Sequence, residues 1–434
     1  MYPAPFALER FFARYEFSAR YLLSASDCQG PAMAELLAAA DDRLRARWEN
    51  LRLGYTESQG LPELRAEIAA LYGEVHAEQV LDAEKVLVAA PEEAIFLTMH
   101  ALLAPGDHVI CTFPGYQSLY ELARSIGCEV DLWQPVETEI GAAAGAADGT
   151  AAGAGSAPTA WTPGAEAVGA PSPAWRFDPA GLETLIRPNT KLVVWNFPHN
   201  PTGALPSAGD FSRMVDAVAR VGAWLFSDEM YRLLEPSPEW RLPAAVDLYE
   251  RAVSLAGMSK AFGLAGLRIG WVAARDLALL ERIKSLKDYT TICSSAPSEL
   301  LALMALRAGD GILAANVARI DRNVRAAAVF VDRHRDVFGW LPPQAGTVCF
   351  PRLVAATGAG EDGVARSGVP RQGEAPPGAE AFCARLLERT GVLLLPSTVY
   401  GYGDSHFRLG LGREDFSAGL EVLDDYLVGD FAEP

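Results

Sequence analysis

The chain has 434 residues, 50% of them hydrophobic, with 37 Lys and Arg against 55 Asp and Glu, a formal net charge of −18. That length supports a large domain with a smaller companion. So acidic a surface repels nucleic-acid phosphate and anionic membranes, which excludes both as natural partners, although local arginines can still receive an acidic substrate. The 6 cysteines form no CxxC pair and the 6 histidines lack ligand spacing, so neither a disulfide scaffold nor a metal site is indicated. MYPAPFALERFFARYEF does not read as a signal peptide, and no apolar run of spanning length is free of charge and turn residues. The expectation is a soluble, cytoplasmic protein.

In chain order, residues 1–30 read as an arm leading into a helix. AMAELLAAADDRLRARWEN, from Ala32, is helical in its spacing up to a break at LGYTESQG, and Pro62 marks the next helix start. KVLVAAPEEAIFLTMHALLAPGD gives a strand, a turn at Ala90-Pro91 and a helix, and HVICTFPGYQSLYELARSIGCEVDLW repeats the pattern. Residues 139–173, rich in Gly and Ala, interrupt this rhythm as a surface insertion, and residues 356–379 form a second one. Between them come the strand TKLVVWN, the turn FPHNPTG, the helix DFSRMVDAVARVG, the strand AWLFSDEMY, then AVSLAGMSKAFG and RIGWVAA. A long helical region follows from about Leu300, and then TVCFPRL, a helix at EAFCARLLERTG, a strand at VLLLPSTVY and a strand-like HFRLGLG. This alternation predicts an α/β fold with a large, mainly parallel sheet. The domains expected are an arm with part of the small domain over 1–50, a large domain over 51–305 and a small α+β domain over 306–434.

Strand ends are where α/β enzymes place their chemistry. Asp228 follows an apolar strand and can be a metal ligand, a general base, a helix cap or the partner of a protonated ring nitrogen. Glu229 should point elsewhere. Tyr231 can approach the same ligand if the turn is helical, and Asn200 in HNPTG offers an amide at a strand end or simply turn chemistry. Lys260 lies among Gly257, Ser259, Gly263 and Gly266, where it can be a surface charge, a phosphate ligand or an amine that forms an imine with an aldehyde. Arg268 can clamp a phosphate. Together these residues describe a ligand with an aldehyde, a phosphate and a protonated ring nitrogen, which is pyridoxal 5′-phosphate.

LGYTESQGLPELR, APEEAI, PGY, HNPTG, SDEMY, SKAFGLAGLRIGW and HFRLGLG stand in the order of the class I/II aminotransferases, the fold-type I pyridoxal phosphate enzymes, which the chain resembles outside its two insertions. The resemblance implies a fold-type I architecture, a large mixed, mainly parallel sheet domain with a smaller α+β domain. It makes Lys260 the lysine of the internal aldimine and the proton carrier, Asp228 the partner of the pyridine nitrogen, and Tyr116 the residue stacked on the ring. Tyr231 and Asn200 would bond the ring oxygen. Pro91, Glu92, Glu93, Ser259 and Arg268 would surround the phosphate, joined by Tyr55 from the partner of a homodimer. Arg408 would grip the substrate α-carboxylate, with Asn200 and Gly30 on the substrate side.

Three departures stand out. The phosphate turn carries Glu92 and Glu93, so backbone N–H groups should do the binding and at least one glutamate should turn away. Gly257 stands where relatives often have a phosphate-binding serine, and the arm stretch SASDCQGPAM departs from the usual substrate loop. The activity implied is transfer of the α-amino group of an L-amino acid to a 2-oxo acid. The alternative is a lyase, cyclase or oxidase of antibiotic-type specialised metabolism acting on a modified or cationic, arginine-like amino acid received by Glu92, Glu93 or Asp27. A silent binding protein that keeps the fold is the reading from another class.

Overall fold

The computed structural model describes residues 2–73, 81–138, 174–354 and 378–429. The insertion at 139–173 lies outside the described residues, as does the second up to residue 377, but Ala379 already opens a helix. Helix α1 (Ala7–Tyr15) belongs to the arm. The periodicity from Ala32 resolves into two helices, α2 (Met33–Ala39) and α3 (Asp42–Glu49). Asp41 divides them, because its carboxylate accepts from the Leu44 N–H at 2.7 Å and caps the second.

α4 (Pro62–Ala69) begins on its proline, and β1 (Val86–Ala89), α5 (Pro91–Leu102), β2 (His108–Thr112), α6 (Ser118–Ile126) and β3 (Glu129–Trp133) alternate as the sequence predicts. The strands β4 (Val136–Thr138) and β5 (Ala174–Arg176) pair on either side of the first insertion. The rhythm resumes with α7 (Pro179–Leu185), β6 (Thr190–Asn196), α8 (Ala208–Arg220), β7 (Trp224–Asp228), α9 (Ala245–Leu248), β8 (Ala252–Gly257), β9 (Gly270–Ala274) and α10 (Leu277–Lys287). The long helical region is two helices, α11 (Ala296–Arg307) and α12 (Gly309–Arg333), bent by 77° at Ala308. No single described helix is long and apolar enough to cross a membrane.

The last part holds β10 (Phe338–Gly339), β11 (Val348–Cys349), β12 (Arg352–Leu353), α13 (Ala379–Thr390), β13 (Leu395–Pro396), β14 (Phe407–Gly410) and α14 (Phe416–Gly429). VLLLPSTVY is a strand only at β13. Its first residues pair with the arm instead, Leu393 N–H donating to the Tyr21 carbonyl at 2.9 Å, and Pro396 has no N–H to continue the ladder.

The main sheet runs β1-β9-β8-β7-β6-β2-β3, parallel from β8 to β3, with β9 antiparallel to both of its neighbours. Both faces are covered, which is why the strands are almost continuously apolar. On β6, Leu192 and Val194 enter one core while Val193 and Trp195 enter the other. The C-terminal ends of β6 and β7 bring Asn196 beside Asp228, and the Asn196 amide donates to the Asp228 carbonyl at 2.9 Å.

The arm is laid across the second, three-stranded sheet β11-β14-β13. Gly410 N–H donates to the Leu23 carbonyl at 2.7 Å, and Gln29 N–H donates to the Gly412 carbonyl at 2.9 Å. The glycines of HFRLGLG follow from this crossing: a Cβ at Gly410 would lie 1.9 Å from the Ala25 carbonyl oxygen, and one at Gly412 would lie 2.2 Å from that of Asp27. Buried asparagines of α12 fix the neighbouring turns, Asn316 donating to the Ala261 carbonyl at 2.8 Å and Asn323 to the Leu411 carbonyl at 2.9 Å.

Gly410→Ala should therefore cost about 1–3 kcal/mol by forcing backbone off backbone. Gly311→Ala, on α12 with nothing within 4 Å of the new Cβ, should instead stabilise by about 0.5–1 kcal/mol. Denaturant unfolding of the two variants beside the parent chain measures both.

Candidate active site

A cavity of about 350 Å3 opens where β6, β7 and β8 end against the N-terminus of α5. Lys260, on the turn after β8, donates from Nζ to Ser26 Oγ at 2.9 Å, so the arm meets the lysine directly. Burial pulls its ammonium below the ordinary lysine range; nearby Asp27 opposes this and Arg408 adds to it. A lysine so placed is readily neutral and nucleophilic.

Asp228 ends β7, buried, with Oδ1 accepting from the Met230 N–H at 3.0 Å. Burial raises its carboxyl to about 7, and that hydrogen bond and Lys260 recover only part of the cost. Glu229 turns to the other side, as the alternation of a strand requires, and accepts from Ser254 Oγ at 2.7 Å and Ala245 N–H at 2.9 Å. Tyr231 is also buried, which pushes its hydroxyl up to about 12 against the pull of Arg408 and keeps it a hydrogen-bond donor.

Arg408, on β14, is 1% exposed. Its Nε and Nη2 donate to the Ser24 carbonyl at 3.0 and 2.7 Å, and its Nη1 donates to Asn200 Oδ1 at 3.1 Å and to the Tyr400 hydroxyl at 2.8 Å. Asn200 is itself placed by its N–H donating to Asn196 Oδ1 at 2.8 Å. With Oδ1 occupied, the Asn200 amide keeps its NH2 for a ligand.

The remaining wall carries Pro91, Glu92, Ser259 and Arg268. Ser259 Oγ is buried without a hydrogen-bond partner among the described residues, and the first turn of α5 presents N–H groups that have no partner within the helix. Both are what a phosphate would satisfy. Glu92 lines the cavity and accepts from Ser118 Oγ at 3.0 Å, while burial raises its pKa and lessens its repulsion of an anion. Glu93 points the other way and accepts from Thr290 Oγ1, Thr291 Oγ1 at 2.8 Å and Thr291 N–H at 3.3 Å. Tyr116 also lines the cavity, its ring centroid 5.1 Å from that of Phe6 and its hydroxyl donating to Glu9 Oε1 at 3.3 Å.

Besides Glu93, two expected residues stand apart from this cavity. Tyr55 is 91% exposed. Gly30 is pressed on the loop after Lys260, where a Cβ would meet the Gly263 carbonyl oxygen at 2.1 Å. At Gly257, a Cβ would fall 3.0 Å from Gly270 Cα and 3.1 Å from the Ile269 carbonyl oxygen, so close pairing of β8 with β9 accounts for the missing serine side chain. Sequence reasoning missed Ser24, Ser26, Asn196, Tyr400, Glu9 and Glu16. Asn196, at the end of an apolar strand, carried the one available signal.

The family model for aminotransferase class I and II matches residues 21–139 and 163–415. The chain belongs to that family. Capreomycidine synthase of Streptomyces vinaceus is 27% identical over 425 residues, 97% of this chain and 93% of that one. A pyridoxal phosphate-dependent aminotransferase from Streptococcus suis 89-1591 shares the fold at a TM-score of 0.80 and 26% identity, with 100% of both chains covered. The pyridoxal phosphate-dependent cyclase OrfR superposes at 0.78 with 29% identity over 99% of this chain and 98% of its own.

The cofactor of this aminotransferase-family enzyme is pyridoxal 5′-phosphate. When bound, it supplies an electron sink for a bond broken at the substrate Cα. The residues present suit it. Asp228 gains the cationic partner its burial lacks, Lys260 offers the amine, and Ser259, Arg268 and the α5 N-terminus offer the phosphate shell.

A pH dependence follows for the cofactor-free protein. The Asp228 carboxyl titrates at about 7 when folded against 3.8 ordinarily, so the folded state holds the extra proton between these values. Its contribution to stability is full below about pH 4 and is lost as pH rises to about 7. Asp228→Asn should remove that loss, gaining roughly 2–4 kcal/mol on the parent chain between about pH 4 and about pH 8. Urea unfolding of both apo-proteins across that range measures the difference.

Proposed function

We propose that the protein is a homodimeric, cytoplasmic enzyme that transfers the α-amino group of an L-amino acid to a 2-oxo acid. The observation that carries this is the buried Arg408 guanidinium, held by Ser24, Asn200 and Tyr400 on the same cavity as the Lys260 amine. Arg408 and the Asn200 amide bind the substrate carboxylate and so orient Cα toward Lys260. Lys260, readily neutral in its buried setting, takes the Cα proton and returns it elsewhere on the reacting system. Asp228 would hold the cofactor by its ring nitrogen and favour the protonated form there.

The dimer is supported by Leu53, Tyr55, Tyr289 and Ile292, large apolar side chains that are 82%, 91%, 91% and 51% exposed. Their two segments adjoin, Thr56 Oγ1 donating to the Ser294 carbonyl at 3.2 Å. Such a patch fits a second copy, with Tyr55 reaching the partner's phosphate site.

A second reading, in which the same Cα deprotonation leads to elimination or ring closure, is favoured by the likeness to capreomycidine synthase and the cyclase OrfR over 97% and 99% of this chain. Lys260 serves either course, because the branch comes after the proton has left Cα. That reading places the enzyme in specialised, antibiotic-type metabolism.

Mass spectrometry of holoenzyme reactions with a panel of L-amino acids and 2-oxo acids separates the two. A keto acid matched by a new amino acid supports transamination, and loss of a side-chain group or ring formation without amino transfer replaces it with the second reading. Arg408→Gln should lower kcat/KM about 100-fold or more, since it removes one partner of a buried charged pair. An unchanged value would remove Arg408 from carboxylate binding.

A further inference from the structure

The cavity contains more negative charge than cofactor and carboxylate binding consume. Among its described lining residues, Lys260, Arg268 and Arg408 are the cations, and Glu9, Glu16, Asp27, Glu92 and Asp228 are the carboxylates. The proposed reaction assigns all three cations and Asp228, and Glu92 is held by Ser118 on the phosphate wall. Glu9, Glu16 and Asp27 remain.

Their partners leave room for a ligand. Asp27 pairs with Arg413 at 3.1 Å. Glu9 accepts only the neutral Tyr116 hydroxyl, and Glu16 makes no hydrogen bond or ion pair among the described residues. Burial, reinforced by Asp27 and Glu9, raises the Glu16 pKa, and the more distant charges of Arg413 and Lys260 offset only part of this. Ser259 Oγ, buried in the same cavity without a partner among the described residues, falls to the phosphate end, so these carboxylates lie in a cavity built to receive a ligand.

Glu9 and Glu16 reach the cavity because α1 is docked on it. Leu8, Glu9 and Phe12 share one face at helical spacing, and Glu16 extends that face in helical conformation with its N–H donating to the Phe12 carbonyl. Phe12 lies over Arg408, its ring centroid 5.6 Å from Cζ. The helix is tied down by Ala7 N–H donating to Gln117 Oε1 at 2.9 Å and by Gln117 Nε2 donating to the Pro5 carbonyl at 3.0 Å. The family match begins at residue 21, so α1 lies before the matched residues.

We propose that α1 is the element that selects the substrate side chain, with Glu9 and Glu16, beside Asp27, receiving a guanidinium group. A planar fork of N–H donors can bridge more than one carboxylate, which an ammonium does less well and a neutral side chain not at all. The proposal rests on the reading that the cavity takes an amino acid.

Absorbance titration of the holoenzyme tests it with L-arginine, L-lysine, L-norleucine and L-citrulline, the last replacing the guanidinium by a neutral urea of the same shape. L-Arginine should bind at least about 30-fold more tightly than L-citrulline and more tightly than L-lysine. The E9Q/E16Q double variant should bring the arginine-to-citrulline ratio close to one. Equal affinity of the parent enzyme for arginine and citrulline would overturn the proposal while leaving the amino-acid reading in place, and so would a preference for L-lysine or L-norleucine. A ratio unchanged in the double variant, or in E16Q alone should the double variant not fold, would remove α1 from the recognition. No spectral response to any of the four would defeat the underlying reading as well.

Discussion

A carboxylate buried at the end of a central strand, without a bonded cation among the described residues, sets the terms on which this site is built. Asp228 can occupy that position because β6 and β8 flank β7 and because the Met230 N–H compensates part of the lost hydration. What remains uncompensated is what a protonated pyridine nitrogen provides. Lys260 presents the complementary case, an amine that burial drives toward its neutral form. The same exclusion of water thus prepares an acceptor for a ring cation and a nucleophile for an aldehyde, in one cavity.

The arm turns this arrangement into a closed site. Its backbone passes so near Gly410 and Gly412 that neither position tolerates a side chain, and the contact delivers Ser24 to Arg408 and Ser26 to Lys260. The small three-stranded sheet and the large one are therefore joined through residues that line the cavity. Upstream of that crossing, α1 covers Arg408 with Phe12 and adds carboxylates outside the family-matched region. Asp228, Asn200, Lys260 and Arg408 lie in the matched part of the chain, whereas Glu9 and Glu16 come from the helix before it and from its C-cap.

How much of this could be read beforehand differs from residue to residue. Asp228, Asn200, Lys260 and Arg408 each stand within a local motif whose neighbours narrow their role, and all four meet at the cavity. Glu92 and Glu93 could not be told apart, because adjacent residues on a helix point about 100° apart. The orientation was decided by Thr290 and Thr291, residues 197 and 198 positions further along. Ser24 acts through its carbonyl oxygen, which every residue type possesses, so no side-chain pattern could have flagged it. Gly257 looked like a lost phosphate ligand; the approach of Gly270 across the β8–β9 pair shows why a side chain does not fit there.

The sequence by itself determined the alternation of strands and helices and singled out Lys260, Asp228 and Arg408, the amine, carboxylate and guanidinium that meet at the cavity. Each of these depends on hydrophobic period or on residue chemistry over a few neighbouring positions. Tertiary structure alone decided which glutamates face the ligand, which backbone carbonyl orients Arg408, and that α1 lies over the cavity. Those outcomes depend on contacts between segments far apart in the chain, where the competing arrangements differ in packing and desolvation rather than in any local preference.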